Sequence, residues 1–247
     1  GIRGEASAAD ARFVAALAAR YGLPFVSTQL KLGPNASEAT AREARYDFLL
    51  DTAAQYQAPV VTAHHLDDLV ETVALNLVRG TGWRGLAVLN RPGVERPLLG
   101  WRKADIRAYA LAHRLEWVED ETNASDRYTR NRLRRCIQRL LTAEQAVQIT
   151  SLRDRQLALR HTISDEVQHL LPQFAAERHG LIMIDEASAQ ELLGAMIMWA
   201  GAPRPTRPRL ERAVLAIKTA RPGSRHVVGD GVYLQFGPRQ FTVEVVQ

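Results

Sequence analysis

Apolar side chains return every three to four positions from Ser7 to Tyr21, at Ala11, Val14, Leu17, Ala18 and Tyr21. That spacing predicts a helix, which Gly22 ends. Leu23 to Leu30 reads as a strand opened by Pro24, and Gly33, Pro34 and Asn35 as a loop. Ser37 can cap a long helix through Ala44, Phe48 and Leu49 to about Tyr56, with Glu38, Arg42, Glu43 and Arg45 on its charged face. Pro59 to Ala63 predicts a short buried strand and Asp67 to Arg79 a helix. Glu95 to Leu99 predicts another strand, Lys103 to His113 a helix, and Leu115 to Val118 a strand. Four alternations with short connections predict an α/β fold, an open, mostly parallel sheet with helices on both faces. Ligands of such sheets sit outside the carboxyl ends of the strands.

The pattern changes near Leu141. Helix-compatible sequence runs from Thr142 to Leu171, with Pro172 as a stop, and Ile182 to Ile184 reads as a strand. Ser188 to Ala200 and Pro208 to Ala220 read as helices, the first carrying Leu192, Leu193, Met196, Ile197 and Trp199. Arg225 to Val246 reads as a hairpin. Alternation in Val232–Phe236 is followed by a turn at Gly237-Pro238 and a return through Phe241–Val245. A boundary here predicts two domains, residues 1–142 and residues 143–247. The second would be a helical linker followed by a smaller α+β domain.

Composition narrows the classes. The single cysteine, Cys136, excludes a disulfide framework, a CxxC redox centre and a cysteine-rich metal site. No apolar run approaches the roughly 18–20 residues that span a bilayer. Gly1-Ile2-Arg3-Gly4-Glu5 is neither a signal peptide nor a transit peptide, so a cytoplasmic protein without a membrane partner is expected. The chain opens without methionine and reads as part of a longer protein. It carries 32 basic against 27 acidic residues, and lysine occurs only at Lys31, Lys103 and Lys218. The remaining basic residues are arginine, which suits phosphate; a GC-rich genome would produce the same bias.

Three segments could carry chemistry. Thr62–Thr72 lies where a strand hands over to a helix and holds His64, His65, Asp67, Asp68 and Glu71. A helix starting near Leu66 would gather His64, Asp68 and Glu71 on one side, with Asp67 and Glu71 as a second pair one turn apart. Carboxylates with imidazole suit magnesium held together with substrate phosphates. They could equally be residues that cap the helix and favour its dipole. Next, Arg79-Gly80-Thr81-Gly82-Trp83-Arg84-Gly85 places three glycines beside two arginines. A phosphate or nucleic-acid backbone could approach there, or the glycines could only end a helix. Third, Glu119-Asp120-Glu121-Thr122-Asn123 leads to Tyr128-Thr129-Arg130-Asn131 and Arg134, within a run of six arginines from Arg127 to Arg139. Those arginines could balance phosphate charge, hold RNA or face solvent. Farther on, Pro203–Arg225 carries Arg204, Arg207, Arg209, Arg212, Lys218, Arg221 and Arg225 against one acid, Glu211. It reads as an RNA-binding edge or as a charged linker with an amphipathic helix.

In order and spacing these segments resemble the tRNA(Ile)-lysidine synthetases of the PP-loop ATP pyrophosphatase superfamily. The resemblance rests on His64-His65-Leu66-Asp67-Asp68-Leu69-Val70-Glu71-Thr72, Arg79-Gly80-Thr81-Gly82, Gly85-Leu86 and Arg96-Pro97-Leu98-Leu99. It continues through Glu119–Asn123 and Tyr128–Asn131 with Arg134, and covers the chain to about residue 142. Glu43-Ala44-Arg45-Tyr46 and Gly1-Ile2-Arg3 are similar as well. The family's Ser-Gly-Gly-x-Asp-Ser loop, which cradles pyrophosphate, does not occur in this sequence and would lie before Gly1. The resemblance implies an adenine-nucleotide α-hydrolase-like fold and a ligase that uses ATP and magnesium. It would adenylate the wobble cytidine of tRNA(Ile) with a CAU anticodon and attach free lysine. It implies catalytic roles for His64, Asp68, Glu71 and Arg130, with Asp68 on the metal. It further implies substrate contacts at Asp67, Asp120, Asn123, Asn131 and Arg134. RNA contacts would fall at Arg79, Gly80, Gly82, Arg84, Arg207, Arg209 and Arg212, and a homodimer is a further expectation. Without the loop this chain alone is expected to be inactive. A tRNA thiolase of the same superfamily, or a non-catalytic tRNA-binding protein, are the alternatives; the lone Cys136 argues against the thiolase.

Overall fold

The computed structural model describes residues 4–30, 32–33, 36–118, 141–174 and 177–246. It divides into two compact units, Gly1–Arg79 with Val88–Ser151, and Gly80–Ala87 with Leu152–Gln247.

The first unit holds α1 (Gly4–Arg20), α2 (Glu38–Gln55), β1 (Val60–Val61), α3 (Leu66–Val78), β2 (Val94–Glu95) and α4 (Lys103–Ala112). Ser37 caps α2 as its sequence predicts, its side chain accepting from the Thr40 backbone N–H at 3.0 Å. Strands β1 and β2 pair in parallel, Val60 opposite Val94 and Val61 opposite Glu95. Around them Tyr46, Val60, Leu66, Leu69, Val70 and Val73 are buried. Tyr46 lies beneath two guanidiniums, those of Arg42 and Arg91, and Arg91 also donates to Glu43 at 2.6 Å.

Several expected strands differ from what forms. Among the described residues, neither Leu23–Leu30 nor Leu115–Val118 joins a ladder. Leu23, Phe25, Val26, Trp117 and Val118 are exposed. Apolar alternation supplies one face of a strand, but a strand also needs a neighbour to take its backbone bonds. Leu115 instead donates its N–H to Ala110 O at 2.9 Å, closing α4 behind Arg114, whose φ is +54°. β2 stops at Glu95 because Pro97 has no N–H for a ladder. Arg96–Leu99 folds into a turn, with Leu99 N donating to Arg96 O at 3.1 Å.

The second unit contains a 3₁₀ turn (Trp83–Leu86) and α5 (Ala143–Phe174) from Leu152 onward. It continues with α6 (Arg178–Met183), α7 (Glu186–Trp199), α8 (Arg207–Thr219), β3 (Arg225–Gly229), β4 (Val232–Phe236) and β5 (Phe241–Val245). Helix α5 runs two residues past Pro172, since a proline that near the end removes only one ladder bond. Ile182–Ile184 is not a strand: Ile182 and Met183 close α6, and Asp185 immediately caps α7 by accepting from Ser188 N at 3.0 Å. The Ser188 contacts hold the Asp185 carboxyl below its ordinary range.

Helices α7 and α8 bury Ala189, Leu192, Leu193, Met196 and Ile197, and Leu210, Ala213, Val214 and Ile217. These are the i, i+3, i+4, i+7 stripes of their sequences. They pack on Val228, Val232, Leu234, Phe236 and Phe241. Each fully buried Leu, Ile or Phe in such a core contributes roughly 1.5–3 kcal/mol. The expected hairpin is present as β4–β5, and β3 adds a third antiparallel strand. Asp230-Gly231 makes the extra turn, both at positive φ. Gly231 is required there because a Cβ would collide with Val246 O. A parallel sheet with helices in one unit, and helices with a separate antiparallel sheet in the other, is the α/β plus smaller α+β organisation.

Candidate active site

The turn between β1 and α3 is built from backbone outward. Val60 N donates to Gly93 O and Thr62 N to Glu95 O, each at 3.0 Å, which brings the chain out at the carboxyl end of the parallel pair. Thr62 Oγ1 then holds His64 Nδ1 at 2.8 Å. His65 is the N-cap of α3, with φ −118° and ψ 177°. Its Nδ1 accepts from Asp68 N at 3.4 Å, and its own N–H donates to Asp68 Oδ2 at 3.0 Å. This reciprocal capping box satisfies two of the N–H groups that a helix start leaves bare. Asp68 and Glu71 lie three positions apart on α3, so they share a helix face. Glu71 is buried, at 2% exposure. The Asp68 side chain remains one-fifth exposed.

Asp67 points elsewhere. It is buried, its Oδ1 accepts from Arg102 Nε at 3.2 Å, and its Oδ2 accepts from Lys103 N at 2.7 Å. The Arg102 side chain does not cap α4, so Asp67 serves as the cap from 36 residues away. Leu66 N adds a bond to Trp101 O at 2.9 Å. The sequence could not reveal this tie, because the partner is distant in the chain. Asp67→Ala should destabilise the protein by about 2–3 kcal/mol in denaturant unfolding, since it leaves a charged donor and a helix N–H unanswered. Asp67→Asn, which keeps an acceptor, should lose less. Equal stability of both variants and the parent would refute this role.

A group of three or more His, Cys, Asp or Glu side chains arranged to hold a metal does not occur among the described residues. The donor set therefore does not make a closed protein cage. It does suit magnesium, which keeps water and phosphate oxygens as most of its ligands and needs one or two carboxylates. Asp68 is a partly exposed carboxylate in the first turn of α3.

The glycine-rich segment clusters with the second unit. Arg79 ends α3 with an exposed side chain, and Gly80 turns the chain at φ +69°. Gly82 opens the 3₁₀ turn, and a Cβ at Gly85 would collide with Thr81. Arg84 stacks over Trp83 and forms an ion pair with Glu191, to which Arg204 Nη2 also donates at 2.7 Å. Burial pushes the Arg204 guanidinium below its ordinary range, while Glu191 opposes the shift. Arg207 pairs with Glu211, Arg209 with Asp230, and Arg225 with Glu244. Arg212 donates to Pro208 O at 3.2 Å. Asp120, Asn123, Arg130, Asn131 and Arg134 lie outside the described residues.

The PP-loop domain profile matches residues 1–141, more than half of the chain. The chain belongs to the PP-loop family. The PP-loop domain is an α/β fold, in keeping with the parallel strands and the helix-capped turn beyond them. Among relatives, this PP-loop chain is 40% identical over 149 residues to the tRNA(Ile)-lysidine synthase of Solibacter usitatus, covering 58% of the chain and 34% of that protein. To the tRNA(Ile)-lysidine synthase of Aromatoleum aromaticum it is 35% identical over 211 residues, 79% of the chain and 48% of the relative. To that of Ralstonia nicotianae it is 45% identical over 133 residues, 51% of the chain and 29% of the relative. The chain thus spans between about a third and a half of the length of these curated relatives. Among the described residues no helix is long and apolar enough to cross a membrane.

Proposed function

We propose that this PP-loop chain belongs to a cytoplasmic tRNA-modifying ligase that makes lysidine. ATP would adenylate the 2-keto oxygen of the wobble cytidine in tRNA(Ile) with a CAU anticodon, releasing pyrophosphate. The ε-amine of free lysine would then attack C2 and expel AMP. The reading is carried by the turn at the carboxyl end of β1, where a capping box joins His65 to Asp68 and Thr62 holds His64, in a chain similar to lysidine synthases.

The residues have distinct jobs in this reading. Asp68 would hold magnesium, which would supply positive charge to offset that of the phosphates. His64, steadied by Thr62, orients a phosphate oxygen. Glu71, a buried carboxylate, is assigned to the lysine ammonium. Arg130 and Arg134 are assigned to the phosphates, and Asp120, Asn123 and Asn131 to substrate contacts. The turnover test is an assay on tRNA(Ile) transcript with ATP and lysine, run with the protein from the complete reading frame. A second copy of the chain as partner is tested by its mass in light scattering.

The tRNA grip needs cations that are not already neutralised. Arg84, Arg207 and Arg209 each have a carboxylate partner. Lys218, Arg221 and Arg239 are exposed and without an ion pair among the described residues. We therefore assign tRNA phosphates to these three, together with Arg79 and Arg212, and give Arg207 and Arg209 a lesser share. Replacing Lys218, Arg221 and Arg239 with alanine should weaken tRNA binding and reduce its salt dependence by about one ion per cation removed. The Arg207→Ala, Arg209→Ala double variant should change the salt slope less. The reverse order in salt-titrated binding would overturn the assignment.

A further inference from the structure

Arg96 follows directly on β2, at the carboxyl end of the parallel pair. β1 and β2 are parallel with Val61 opposite Glu95, so the chain leaves both strands at one end of the sheet. Thr62 N donates to Glu95 O, and Arg96 is the next residue. Thr62 is also the residue that holds His64. The Arg96 side chain is half-buried and anchored, with Nη1 donating to Val94 O at 3.0 Å. Its Nε is buried and has no hydrogen-bond partner among the described residues.

An unanswered N–H on a cation is costly when removed from water, and native structures avoid it unless something else completes the bond. Asp67 is engaged by Arg102 and Lys103, and Asp68 Oδ2 by the His65 N–H. We infer that Arg96, the residue that follows β2 at the carboxyl end of the parallel pair, is a binding residue for a nucleotide phosphate, with its unanswered Nε as the donor. A guanidinium fork matches a phosphate in two-pronged geometry, and the carboxyl ends of parallel strands are where such sheets take ligands. The inference rests on reading the β1–α3 turn as a nucleotide site and adds a residue to it.

Inorganic pyrophosphate with magnesium is the probe, titrated calorimetrically into the complete protein and its Arg96→Gln and Arg96→Lys variants. Arg96→Gln should weaken pyrophosphate by about 10- to 100-fold, the loss of a charge-assisted bond, and Arg96→Lys should recover only part of it. Without ligand, both variants should melt near the parent temperature, because the gain from removing an orphaned donor offsets the lost bond to Val94 O. Unchanged pyrophosphate affinity in either folded variant would overturn the assignment. So would a lowered melting temperature in both variants with parental affinity, which marks a structural arginine. A parent protein that does not bind pyrophosphate would sink the nucleotide-site reading itself, and the Arg96 role with it. A KM increase for lysine alone in the turnover assay would make the anion a carboxylate and also overturn the phosphate assignment.

Discussion

Asp68→Asn is expected to lower kcat/KM for lysidine formation by about 100- to 1000-fold, the usual loss when a group stabilising transition-state charge is removed. The substitution separates two duties of one side chain. Asparagine keeps an oxygen that can accept from the His65 N–H, so the capping box at the start of α3 survives. What disappears is the negative charge assigned to magnesium. Melting should therefore shift little, while activity collapses. Asp68→Ala should lose the activity and in addition about 1 kcal/mol of helix-cap stability. Steady-state kinetics with ATP, lysine and tRNA varied in turn, beside thermal melts, checks both halves. Parental kcat/KM in Asp68→Asn would leave Asp68 as a capping residue only.

Arg178→Met should destabilise the second unit by about 3–5 kcal/mol. Arg178 is buried, and its guanidinium answers backbone carbonyls rather than a carboxylate. Nε and Nη2 donate to Ile217 O at 3.0 and 2.8 Å, Nη2 to Ala220 O at 2.7 Å, and Nη1 to Gly237 O at 3.2 Å. It lies over the Phe236 ring as well. The side chain thus closes the C-terminal end of α8, where helix carbonyls lack partners and a positive charge is favoured, and ties it to the turn after β4. Methionine approximates the volume but answers none of those carbonyls. Denaturant unfolding should show the loss, and hydrogen exchange should rise first in the last turn of α8. Parental stability would refute this role.

Much of the fold was legible in the chain because it depends on local rules. Ser37 marked the start of α2, the stripes of α7 and α8 marked their buried faces, and Asp67 and Asp68 lay near the start of α3. The candidate turn was legible for the same reason, since its capping box spans only His65 to Asp68. What escaped depends on partners far along the chain. Asp67 capping α4, Arg84 meeting Glu191 and Arg178 meeting Ile217 and Gly237 join residues separated by 36 to 107 positions. Arg209, expected as an RNA contact together with Arg207, also meets Asp230 from 21 positions away. Leu23–Leu30 and Leu115–Val118 show the converse. Their composition suits strands, but composition does not supply a ladder neighbour.

Mass spectrometry of nucleosides tests the central claim most directly. tRNA(Ile) transcript with a CAU anticodon is incubated with ATP, magnesium, isotopically labelled lysine and the protein from the complete reading frame. Labelled lysidine is predicted at the wobble position, with one AMP and one pyrophosphate for each lysine attached. A folded protein that binds the transcript and ATP but leaves that cytidine unmodified would contradict the account.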